Sequence, residues 1–193
     1  MNQNTISKLE NCLFTSSKPD AASHECVLVV AKRRAVSHQN GSHASLKLGE
    51  KLKLYHVLDL SITFEVVVTF VSPRKHFVFF ESLDRTFPFY PKGFKQISEG
   101  KEYFELGLNQ NRKPVWNKGQ IDQICRGYSV GITREDDSNG LGLFDKYGVY
   151  YGLSVERVTD EDGDKLSRVI SAMSMNCVAY VDSDSDNAEK EER

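Results

Sequence analysis

Apolar residues in this chain come in short runs separated by Gly, Pro and Asn turns, and the most regular of them repeat every second residue. Residues 26–31, Cys-Val-Leu-Val-Val-Ala, form a continuous β-branched run, the pattern of a strand covered on both faces. Between Ile62 and Val71 one face carries Ile62, Phe64, Val66, Val68 and Phe70, and Pro73 ends the run. Leu46, Leu48, Leu52 and Leu54 alternate with lysines around Gly49-Glu50, which predicts a hairpin with one wet face. Further strands are predicted over His76–Phe80, Glu102–Leu108, Gly127–Thr133 and Gly148–Val155. Strands this closely spaced leave no room for crossover helices, so they predict an antiparallel sandwich or barrel. The period changes only near the C-terminus. There Leu166, Val169, Ile170 and Met173 follow helical spacing behind the capping candidates Asp162 and Asp164, predicting an α-helix over about 163–175 with its methionines in the core.

At 193 residues the chain holds one domain with a substantial core or two small units, and 39% apolar with 27% charged residues excludes disorder throughout. No apolar stretch approaches the roughly 20 residues a membrane helix requires. The net charge of −2 is uneven: residues 182–193 carry −4, leaving +2 on the rest. A nearly neutral body argues against a nucleic-acid partner, and Lys32-Arg33-Arg34 reads as a solvated strand end. Cys12, Cys26, Cys125 and Cys177 are widely separated, with no CxxC pair and no His pair at zinc spacing, so neither a metal nor another cofactor is expected. The N-terminus has no basic segment followed by an apolar one, and the expected location is intracellular, cytoplasmic or nuclear, with reduced thiols.

The order of the elements carries more. Asp137-Ser138-Asn139-Gly140-Leu141-Gly142-Leu143-Phe144-Asp145, followed by Lys146-Tyr147-Gly148-Val149-Tyr150-Tyr151-Gly152-Leu153, resembles the nucleophile turn and following hairpin of trypsin-like (chymotrypsin-fold) serine peptidases. Upstream, Val29-Val30-Ala31-Lys32-Arg33-Arg34 looks like that family's strand and T-A-x-H histidine turn. Lys75-His76-Phe77-Val78-Phe79-Phe80 looks like its aspartate strand, and residues 100–107 like the strand that opens its second barrel. The resemblance covers roughly residues 8–175. It implies an all-β fold of two antiparallel β-barrels with a C-terminal α-helix. Barrel 1 spans about 8–85, barrel 2 about 97–158 and the helix about 163–175, within a domain ending near 181.

In this register the triad positions hold Arg34, His76 and Asn139. Serine catalysis needs an oxygen nucleophile, a base to take its proton and a carboxylate to orient the base. An amide is no nucleophile, a guanidinium stays protonated, and His76 is no permanent anion. Asp137 also stands where the family places a flexible Gly, so its carboxylate would oppose a developing oxyanion. The resemblance therefore implies a pseudoprotease acting as a protein-interaction or scaffold module. The alternative shifts the turn by one residue and makes Ser138 the nucleophile of an active intracellular serine endopeptidase, with its base drawn from His24, His38, His43 or His56.

The expected partner is a protein or peptide, with no membrane involved. Trp116, Phe89 and Tyr90 are the binding candidates: Trp116 as a groove lining, the other two as exposed rings of an inter-barrel linker that also carries Phe87 and Phe94. Val178-Ala179-Tyr180-Val181, with the acids that follow, resembles a SUMO-interacting motif, the alternative being a final strand before a solubilising tail. Ser183 and Ser185 sit among acids as acidophilic-kinase sites, in a segment, 182–193, expected to be disordered.

Overall fold

Two sets of six antiparallel strands each close into a barrel. The computed structural model describes residues 1–21, 23–133, 139–159 and 165–176. Barrel 1 is built from β1 (Leu13–Thr15), β2 (Cys26–Val29), β3 (Arg34–His38), β4 (Lys51–His56), β5 (Thr63–Ser72) and β6 (Phe77–Ser82), closing in the order β1-β2-β3-β6-β5-β4. Barrel 2 is built from β7 (Glu102–Leu108), β8 (Pro114–Cys125), β9 (Tyr128–Thr133), β10 (Asn139–Phe144), β11 (Tyr150–Thr159) and β12 (Lys165–Ser171), closing as β10-β11-β12-β9-β8-β7. No described helix is long and apolar enough to cross a membrane.

The period-two pattern becomes inward packing as expected. Along β5, Phe64, Val66, Val68 and Phe70 point to the core, while Glu65 and Thr69 are exposed. Phe14, Phe64 and Phe87 meet inside barrel 1 with ring centroids 4.5 to 5.6 Å apart, so the linker between the barrels plugs the first barrel with Phe87. Burying such a ring contributes about 1.5–3 kcal/mol. Helix α1 (Gln3–Glu10) is capped by the Asn2 side chain, which accepts from the Thr5 amide at 2.8 Å, and it buries Leu9.

Three sequence expectations are corrected. Leu46 and Leu48 belong to no hairpin: residues 46–50 form the loop into β4, and Leu48 is 62% exposed. Residues 165–171 are a strand, so barrel 2 runs to Ser171 and the helix is confined to 172–176. The reason is closure: β12 pairs with both β11 and β9, and without it two strand edges would lack partners. Met173 is accordingly exposed, while Met175 is buried.

One apolar core runs through both barrels, joining Leu28 of β2 to Leu106, Leu141 and Phe144 of barrel 2. The junction is close at Gly142, where an added Cβ would lie 2.4 Å from Leu28 Cδ2 and 3.0 Å from the Phe144 ring. Gly142→Ala should therefore destabilise by about 1–3 kcal/mol in urea unfolding. In a Leu28→Ala background its cost should shrink, because the two changes share one volume.

Candidate functional site

The end of β3 places one wall of the site. Ala35, Val36 and Ser37 are buried, the strand stops at His38, and the amide of Gln39 donates to the His76 carbonyl oxygen at 2.9 Å. This bond ties the end of β3 to the start of β6, with His76 in a left-handed conformation at φ 57°. A 3₁₀ turn, Gly41–Ser45, follows, with Asn40 at its N-cap position.

β11 supplies the opposite wall. Its pairing with β10 ends at Leu153, while its pairing with β12 continues to Thr159. From Ser154 onward the β10-side edge of β11 has no strand partner among the described residues. Ser154, Val155 and Glu156 face Cys26, His38 and Asn40 across an inter-barrel cleft of about 260 Å³. His38 Nε2 bridges the cleft to the Ser154 carbonyl oxygen, and because a carbonyl only accepts, this nitrogen carries the proton.

Burial sets the charge states here. His24 is held below the ordinary imidazole range by burial and by the nearby Arg112 cation. Burial, reinforced by Glu25, pushes the Cys26 thiol far up, so Cys26 presents a protonated thiol and not a nucleophile. Glu25 accepts from the Ser42 amide at 3.0 Å, fixing the 3₁₀ turn to the cleft rim.

The histidine in that turn does not face the cleft. His43 is 1% exposed, its ring packed edge-on against Phe80. Nδ1 donates toward the His38 carbonyl oxygen at 3.2 Å and Ser37 Oγ at 3.0 Å, while Ser37 Oγ donates to the Cys26 carbonyl oxygen at 2.6 Å. With Nδ1 protonated, Nε2 accepts from Ser16 Oγ at 2.6 Å. Both ring nitrogens are engaged in a neutral ring, and burial keeps the imidazole from charging.

The expected triad positions separate. Arg34 opens β3 at its hairpin end, opposite Glu81, with its guanidinium 5.3 Å from the Phe79 ring centroid. Four residues of strand, about 13 Å, divide it from the end where His76 lies. Arg34 is not among the residues lining the cleft: the strand whose end reaches it is β3, not the more apolar β2, and Ser37, His38 and Asn40 line it there.

Asn139 begins β10 opposite Leu108, whose side chain lines the cleft. Ser138 lies outside the described residues, as do Val178, Ala179, Tyr180, Val181, Ser183, Ser185 and the acidic segment 182–193. Trp116 is a packing residue and not a cleft lining: its ring meets Phe144 edge-on and its indole N–H donates to Glu10 Oε1 at 3.0 Å. Phe89 and Tyr90 are about 40% exposed on the linker, away from the residues lining the cleft. Among the described residues no group of three or more His, Cys, Asp or Glu is placed to hold a metal ion, and Cys12, Cys26 and Cys125 form no disulfide.

No protein-family model matches the sequence, and no curated protein matches it. Solved structures do. The MamO protease domain from Magnetospirillum magneticum superposes with a TM-score of 0.66 at 12% identity, covering 89% of this chain and 97% of that one. An inactive mutant form of Rv3671c from M. tuberculosis H37Rv gives 0.66 at 13%, covering 91% and 88%. The serine endoprotease from Yersinia pestis gives 0.67 at 10%, covering 92% of this chain and 65% of that one. The shared feature is the fold, the trypsin-like double barrel.

His43 and His56 are both held below the ordinary imidazole range, chiefly by burial. Below about pH 6.5 the unfolded chain therefore binds more protons than the folded one, and stability should fall as pH drops from about 7 to 5. Urea midpoints across that range check this. His43→Asn should lower stability at neutral pH by about 1–3 kcal/mol and flatten the pH slope.

Proposed function

We propose that this chain is a non-catalytic trypsin-like domain that captures an extended segment of a protein partner along the free edge of β11. The observation that carries the reading is the histidine turn. Set on β3, the family's T-A-x-H pattern falls on Ser37-His38-Gln39-Asn40, which supports this reading by giving the base position to Asn40, and an amide cannot take a proton from a nucleophile. His43, the nearest histidine in the turn, is sealed inside barrel 1 by Ser16, Ser37 and the His38 carbonyl. In the same register the position needing a permanent anion falls on His76, just before β6, which also supports the reading.

Capture needs none of these groups. An unpaired strand edge offers its amides and carbonyls to an incoming strand, and pockets on either side select its side chains. Ser154–Glu156 supply such an edge at the cleft wall. In the free chain His38 covers the Ser154 carbonyl, so a captured strand displaces that contact or starts beyond it.

The competing reading is an active endopeptidase with Ser138 as nucleophile, and it draws on His38, which lines the cleft. Its Nε2 proton is directed to Ser154, which leaves that nitrogen a donor and not a base. A fluorophosphonate probe separates the two readings. The wild-type chain should take no label above that of Ser138→Ala; a single labelled serine that disappears in Ser138→Ala would establish the enzyme.

A further inference from the structure

Beyond Val155, which lines the cleft, lies a second hollow of about 780 Å³ that Val155 also lines. Both barrels contribute cations to it. Arg74 and Lys75 come from the β5–β6 turn, Arg126 from the β8–β9 turn and Arg168 from β12. Arg168 is compensated: its guanidinium pairs with Glu156 at 3.2 Å and lies 4.6 Å from the Tyr128 ring centroid. No ion pair to Arg74, Lys75 or Arg126 exists among the described residues. Solvated surface charges scatter, whereas these converge on one concavity from chain segments about fifty residues apart.

We propose that the segment captured on β11 is acidic, with Asp, Glu or a phosphorylated side chain seated among Arg74, Lys75 and Arg126. The proposal rests on the capture reading above and names the partner's chemistry. A strand laid along Ser154–Glu156 turns alternate side chains to one face. Val155 is common to the two hollows, so they adjoin at that edge, and a side chain of a strand laid there is within reach of the cationic basin. A nucleic acid fits less well: outside residues 182–193 the chain carries only +2, and Tyr128, the aromatic ring of the basin, is covered by Arg168.

The test uses the full chain with Asp182, Asp184 and Asp186 changed to Asn and Glu189, Glu191 and Glu192 to Gln, so that the acids of that segment do not compete. Three fluorescein-labelled peptides of equal length alternate Val with Glu, Gln or Lys, and binding is read by anisotropy at several salt concentrations. The Glu peptide should bind about tenfold more tightly than the Gln peptide, the advantage shrinking with salt and vanishing in Arg74→Glu/Arg126→Glu. Both residues are exposed, so this variant should keep the parent's melting temperature. Equal binding of the Glu and Gln peptides overturns the charge proposal and leaves capture standing. If no peptide binds, capture fails and the acidic preference with it. A single-stranded oligonucleotide binding more tightly than the Glu peptide also overturns the proposal.

Discussion

The packing of β10 against β2 is the constraint on which the other features depend. At Gly142 the second barrel presents bare backbone to Leu28, and that absence of a side chain lets the apolar core of barrel 1 continue into barrel 2. The cleft is a consequence of this contact. Cys26 lies two residues before Leu28 on one wall, and Ser154 directly follows Leu153, the β11 partner of Gly142, on the other. Any shift of one barrel on the other would move the cleft walls together or apart.

Within that frame, the polar groups at the cleft are arranged for stability and contact. A general base must be half-exposed, poised near neutrality and aimed at the reacting group. His43 meets none of these conditions: it is buried, neutral and fully hydrogen-bonded between Ser16 and the end of β3. Its network instead holds the 3₁₀ turn against the barrel, and Glu25 holds the same turn from outside. Meanwhile the pairing of β11 with β10 ends at Leu153, and from Ser154 that edge has no strand partner among the described residues.

Several elements were legible in the sequence because their signals are local. The alternation from Ile62 to Val71 became β5, and Phe77–Phe80 became the buried part of β6, since a half-buried or sandwiched strand imposes its own pattern. The short strands were not. β1 has three residues and β3 begins with Arg34, so neither leaves a periodic trace. β12 misled in the opposite direction. Its Leu166, Val169 and Ile170 satisfy helical spacing, and barrel closure overrides that propensity.

By itself the sequence determined a mainly antiparallel β chain with β5, β6 and β7 where they lie, because these follow from residue identity and near-neighbour spacing, and its resemblance to trypsin-like peptidases implied the two barrels. Only the tertiary structure decided which residues share the cleft. Asn40 is there and Arg34 is not, His43 is inside the barrel and not on its rim, Trp116 packs on Glu10, and cations from Arg74 to Arg168 meet in one hollow. Those outcomes depend on which strands pair to close each barrel and how the barrels dock, contacts between segments far apart in the chain that no local pattern encodes.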